Sequence, residues 1–183
     1  MHDTSSPRFP LLNGWRITGW GCLLALFMLP ALAMQITSEV DWTTGDFVFA
    51  AVALGLLGAT VELAVHFSRP GAARTGYILA GFIAFLTIWS NAAVGIVGDE
   101  DSINILFFMM IAVALVAGAF LRFRSSSMRW ITVALAIGQY AAGVAALFVM
   151  PRHAVEWGVL TFFAVLWLTA SWCFRCATSP RSA

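Results

Sequence analysis

Residues 103–123 read INILFFMMIAVALVAGAFLRF and carry no charge before Arg122. A helix that crosses about 30 Å of hydrocarbon needs roughly 20 predominantly apolar residues. This stretch meets the requirement alone, and five further runs of the same kind flank it: 15–36, 47–67 and 75–97 before it, 128–150 and 154–174 after it. The connections are short and polar: Ser38-Glu39-Val40-Asp41, Ser68-Arg69-Pro70-Gly71, Gly98-Asp99-Glu100-Asp101, Arg124-Ser125-Ser126-Ser127 and Pro151-Arg152-His153. All are turn or helix-end chemistry. The expected fold is all-α integral membrane, a six-transmembrane-helix bundle with short loops. It forms one polytopic membrane domain over residues 1–183.

Composition excludes the alternatives. The chain is 61% hydrophobic and 10% charged, with a mean hydropathy of +0.88, so too few charges remain to clothe a soluble core. The 15 Phe and 8 Trp residues argue equally against disorder. A net charge of +1, with basic residues that are all Arg and scattered along the chain, gives no footprint for nucleic acid.

The arginines orient the bundle, because basic residues accumulate in short cytoplasmic loops. Arg8, Arg16, Arg69, Arg74, Arg122, Arg124, Arg129, Arg175 and Arg181 all fall on one predicted side, leaving Arg152 on the other. Both termini are therefore expected in the cytoplasm. Glu39, Asp41, Asp46, Asp99, Glu100, Asp101 and Glu156 fall outside. Trp15, Trp20, Trp42, Trp130, Trp157 and Trp172 lie near predicted span ends, whereas Trp89 and Trp167 lie deeper. Arg8 and Arg16 before an apolar run ending Pro30-Ala31-Leu32-Ala33 also fit a cleavable secretory signal. The run continues through Ile36, which makes it long enough to span.

Several residues offer chemistry. Glu62 is an ionisable group inside the second span, and His66 lies four residues on, on the same helical face. The functional reading is a proton relay open to the cytoplasm; the packing reading pairs Glu62 with Arg69, Arg74 or a neighbouring helix. Glu100, Asp101 and Asn104 supply hard oxygen ligands suited to a divalent cation such as Ca²⁺, Mg²⁺ or Mn²⁺, although their spacing matches no EF-hand loop. The competing reading is a set of acids that cap the fourth helix. With Glu39, Asp41 and Asp46 from the preceding external loop they would form an acidic vestibule that concentrates cations. Asn91, in Trp89-Ser90-Asn91-Ala92-Ala93-Val94-Gly95, is a strong interhelical hydrogen-bond former and a candidate on a transport path. Gln139 and Tyr140, flanked by Gly138, Ala142 and Gly143, read as packing contacts.

The remaining signals are weaker. Cys173 and Cys176 form a Cys-x-x-Cys that no second Cys or His pair completes. No His-Glu-x-x-His, no serine with an adjacent base and no phosphate-binding glycine motif is present, so the sequence offers no catalytic set and no cofactor site beyond a divalent cation.

The segments Ala33-Met34-Gln35-Ile36-Thr37-Ser38-Glu39-Val40-Asp41-Trp42 and Trp89-Ser90-Asn91-Ala92-Ala93-Val94-Gly95-Ile96-Val97-Gly98, with Asp46-Phe47, Glu62, Glu100-Asp101 and Asn104, resemble a family of small, uncharacterised bacterial inner-membrane proteins. The resemblance implies a shared bundle and external-loop surface, with no activity attached. It directs attention to Gln35, Glu39, Asp46, Asn91, Glu100, Asp101 and Asn104; Asp41 and Asp99 depart from the family pattern, which favours uncharged residues there. Two functions follow as expectations. One is a small transporter or cation-binding membrane protein with an acidic external vestibule and an intramembrane carboxylate. The other is a non-catalytic accessory or assembly subunit that docks a partner through its external loops. Apart from the lipid bilayer, a second copy of the chain or another membrane protein is the partner that fits either.

Overall fold

The structure, a computed structural model, describes residues 14–69, 71–97, 101–149 and 155–179. Among these residues every regular element is an α-helix: α1 Gly14–Ile36, α2 Thr44–Phe67, α3 Ala72–Val94, α4 Asp101–Phe120, α5 Ser125–Val149 and α6 Trp157–Thr178. All six are long and apolar enough to cross a membrane. The described residues thus form six helices and no strand, an arrangement consistent with a multi-pass membrane protein.

Several helix ends depart from expectation, three of them for a visible local cause. α2 starts three residues earlier than its apolar run because Thr43 and Asp46 form a capping box. The Thr43 N–H and hydroxyl both donate to Asp46 Oδ2 at 2.8 Å, and the Asp46 N–H returns a bond to Thr43 Oγ1 at 3.3 Å. α3 stops at Val94 because Gly95 turns the chain at φ 69°. α4 ends at Phe120 in a Schellman motif: the Arg122 N–H reaches Ala119 O at 2.9 Å and the Phe123 N–H reaches Gly118 O at 2.7 Å. The Phe123 ring lies on Gly118, which supplies the accompanying apolar contact. Both turn residues adopt left-handed backbone, Arg122 at φ 55° and Phe123 at φ 47°, without being glycine. α6 begins at Trp157 and runs to Thr178, past the expected end at residue 174.

The chain divides into two compact units, Met1–Gly58 and Ala59–Ala183, with the boundary inside α2. In the first unit, a Cβ on Gly58 would meet the Trp20 ring at 2.7 Å, so α1 and α2 approach closely there. Phe27 and Trp42 each set a ring edge-on to Phe47, at 5.8 and 5.3 Å between centroids.

In the second unit, α3, α4, α5 and α6 close a ring in which α3 packs on α4, α4 on α5, α5 on α6 and α6 back on α3. Cross-helix contacts fix the register. Ser171 Oγ donates to Arg129 O, the Tyr140 hydroxyl donates to Thr161 Oγ1, and Gly143 faces Leu160 and Trp157, so α5 and α6 run antiparallel. Gly76 and Tyr77 lie against Phe174, Gly138 against Met110, and Gly81 against Thr60 of α2. Small residues let helices approach where lipid supplies no hydrophobic drive for association. Ile83, Phe107, Leu160, Trp167 and Phe174 fill the interior, while Val113, Val116, Ile137, Val144 and Leu168 stand exposed on the outer faces.

One end of this unit gathers arginines. The Tyr77 hydroxyl donates to Phe123 O and brings the start of α3 to the α4–α5 turn, and Ser171 brings the end of α6 beside Arg129. The Arg129 guanidinium sits 4.9 Å over the Trp130 ring and that of Arg175 sits 5.3 Å over Trp172. Arg74 donates to Val65 O and Ser68 O at 2.9 and 2.7 Å, satisfying carbonyls at the end of α2.

Candidate functional site

The interior of the four-helix ring is apolar except for a file of neutral polar side chains. Buried there are Thr87 and Asn91 on α3, Asn104 on α4, Thr132 and Gln139 on α5, and Ser171 on α6. The indole nitrogen of Trp167, on α6, joins them. In a bundle without a wet interior, each such group needs a partner or it raises the energy of the fold.

Most have partners close at hand. The Thr87 hydroxyl bonds Ile83 O at 2.8 Å and that of Thr132 bonds Met128 O at 2.9 Å, the usual return of a helical threonine to its own preceding turn. Ser171 bridges to α5 through Arg129 O at 3.1 Å.

Asn91 and Asn104 act together. Asn91 Nδ2 donates to Asn104 O at 2.8 Å, and Asn104 Oδ1 accepts the backbone N–H groups of Ile96 and Val97 at 3.1 and 3.2 Å. The stretch after α3 is thereby folded back onto the bundle end, where Ile96, Val97 and Ile103 are all buried. Two asparagines that the sequence presents as a path residue and a cation ligand thus meet in one clamp. Both lone-pair positions of Asn104 Oδ1 are taken by main-chain donors.

Four side chains retain buried polar atoms with no hydrogen-bond partner among the described residues: Arg74 Nε near the start of α3, and, within the file, Asn91 Oδ1, both Oε1 and Nε2 of Gln139, and Trp167 Nε1. Gln139 is 0% exposed and Trp167 is 2% exposed. The observed register relates them. Pairing Arg129 with Ser171, Tyr140 with Thr161 and Gly76 with Phe174 places Asn91 about 3 Å from the level of Gln139 along the bundle, and Trp167 about 8 Å from it, at 1.5 Å per residue. A helical side chain leans toward the N-terminus of its own helix. Asn91 and Gln139 therefore both lean toward the arginine-bearing end and keep their offset, whereas Trp167 leans away from that end, which shortens its separation from Gln139.

The other candidate residues lie elsewhere. Glu62 is half-buried on α2, five residues before Phe67, or about 7.5 Å inside the helix end. His66 is exposed, with its ring edge-on to Phe67 at 4.7 Å. Glu39 is exposed after α1, its N–H donating to Thr37 Oγ1 at 3.1 Å. Asp46 is exposed and holds Thr43. Glu100 lies outside the described residues; Asp101 opens α4, and its side chain is likewise outside them. Among the described residues no three His, Cys, Asp or Glu side chains converge.

Sequence reasoning assigned Gln139 to packing and passed over Thr87, Thr132, Ser171 and Trp167. A signal was available for the α5 pair, since Thr132 and Gln139 are seven residues apart, two turns on one face. In comparisons with protein families, curated proteins and solved structures, nothing matches this chain.

Proposed function

We propose that this chain is a small transporter of the bacterial inner membrane, with both termini in the cytoplasm, whose solute path follows the polar file inside α3–α6. The observation that carries the reading is the Gln139 carboxamide, fully buried at mid-helix with both polar atoms unpartnered. A polar group held inside a membrane bundle at that expense marks a ligand or ion pathway more often than idle packing. Arginines at one end of the four-helix unit support the orientation, because that end then faces the cytoplasm. Glu62 serves as the intramembrane carboxylate near that end. Acids that the sequence places in the external loops attract cations or protonated solutes, and a divalent cation is the cofactor this reading allows.

An accessory subunit docking through those loops receives less support. Polar groups that such a surface needs are engaged within the chain: Asp46 holds Thr43, and Asn104 holds Ile96 and Val97.

Thiol accessibility tests the proposal. With Cys22, Cys173 and Cys176 changed to serine, single cysteines at Asn91, Thr132 and Gln139 are compared with cysteines at the outward-facing Ile137 and Val144. A transporter admits a small water-soluble thiol reagent to the first set and spares the second. Equal protection of both sets overturns the reading.

A further inference from the structure

We propose that the Gln139 carboxamide, the Trp167 indole N–H and the Asn91 carboxamide oxygen form a mid-bundle binding site for a small uncharged molecule that both donates and accepts hydrogen bonds. This deepens the transporter reading by naming the substrate class, and it rests on that reading.

The unpartnered atoms supply the specification. Gln139 offers two N–H donors and a carbonyl acceptor, Trp167 one donor, and Asn91 one acceptor. Donors and acceptors are thus present together, which suits an occupant of the same double character and disfavours one that only accepts or only donates. Charge narrows the class further. Every buried polar side chain described in the four-helix unit is neutral: Thr87, Asn91, Asn104, Thr132, Gln139 and Ser171. A cation or anion at this depth would leave water with no counter-charge beside it, whereas an uncharged molecule exchanges water hydrogen bonds for those of the site.

Size is set by the small residues on α5. Gly143 leaves so little room that a Cβ there would come within 2.9 Å of the Trp157 ring, and Gly138 is covered by the Met110 sulfur. Helices this close exclude a bulky occupant, which limits the class to molecules of a few heavy atoms. The external acids and the interior site then suit different solutes: carboxylates attract cations, and neutral amides receive an uncharged molecule.

The test has two parts. In proteoliposomes, permeation of water, urea, formamide and glycerol is followed by light scattering after an osmotic step, and permeation of Na⁺ and K⁺ by entrapped dyes, for wild type and Gln139→Leu. In parallel, the indole N–H resonances of wild-type protein labelled with ¹⁵N-tryptophan are followed during addition of formamide or of NaCl, with Trp167 assigned from Trp167→Phe. The proposal expects faster permeation of at least one uncharged solute than in protein-free vesicles, its loss in Gln139→Leu, and a Trp167 shift with formamide that NaCl does not produce. Ion permeation without any for uncharged solutes overturns this inference and leaves the transporter reading standing. A saturable Trp167 shift without permeation of any solute keeps the site and removes the transporter. Absence of both removes both, and should Gln139→Leu fail to fold, the wild-type resonance still decides the site.

Discussion

Asn91 and Asn104, thirteen residues apart in the chain, are joined by a 2.8 Å bond from one side chain to the other's main-chain carbonyl, and Asn104 in turn holds the two N–H groups that follow α3. Five polar groups inside an apolar bundle end are engaged by this arrangement, and it explains why Ile96 and Val97 can be buried in a non-helical stretch. Substituting Asn104 by Leu strands two buried backbone donors, each costing about 1–3 kcal/mol. Asn104→Asp keeps an acceptor and is expected to lose much less. Unfolding of the purified protein in a denaturing detergent series should rank wild type above Asn104→Asp, and that above Asn104→Leu. Equal stability of the Leu and Asp variants would show that the clamp does not hold the bundle end.

The α4–α5 turn stores strain at residues that are not glycine. Arg122, at φ 55°, is exposed, and an L side chain in that conformation costs about 1 kcal/mol. Arg122→Gly is therefore expected to stabilise the chain by about 1 kcal/mol, despite the removal of an arginine from this end. Tyr77→Phe is expected to do the opposite, because it takes away the hydroxyl that binds Phe123 O and lies 3.5 Å from Ser125 Oγ. The same unfolding series reads both, and a destabilised Arg122→Gly would mean that its guanidinium makes a contact worth more than the backbone strain.

Close approach at glycine yields a paired prediction. Gly143→Ala drives a methyl group into Leu160 and Trp157, and overpacking of this kind costs about 1–3 kcal/mol. Gly55→Ala, on α2 where nothing lies within 4 Å of the added carbon, is expected to be neutral or to gain about 0.5–1 kcal/mol from helix propensity. Should both variants lose stability alike, the α5–α6 contact is not as close as Tyr140 and Thr161 indicate.

The helices were legible because hydrocarbon imposes one requirement, length in apolar residues, that a run such as 103–123 meets on its own. Their ends were less so. Leu121 and Phe123 extend the apolar run in composition yet lie beyond the helix in geometry, since a Schellman turn is specified by backbone bonds rather than by hydropathy. The site divided the same way. Asn91 and Asn104 were recognisable as polar groups at helix ends, but their joining depends on how Gly95 turns the chain. Gln139 passed for packing because a lone amide among glycines and alanines is ordinary in membrane helices; only the absence of a partner within the fold sets it apart.

Gln139 gives the prediction that separates function from architecture. Its amide makes no hydrogen bond to the described protein, so Gln139→Leu removes no protein–protein bond and eliminates the cost of desolvating an amide. The variant is expected to unfold at the same point as wild type or to gain about 1–2 kcal/mol, while losing solute permeation. Asn104→Leu, another replacement of a buried amide by leucine, is expected to do the reverse and weaken the fold. Stability given up at one buried position in exchange for binding is the pattern of a functional site, since a purely structural residue has no reason to leave its polar atoms unmet. Measuring unfolding and permeation on the same Gln139→Leu preparation decides the matter. A loss of more than about 1 kcal/mol would reveal native partners for the amide and return Gln139 to the packing role its neighbours suggest.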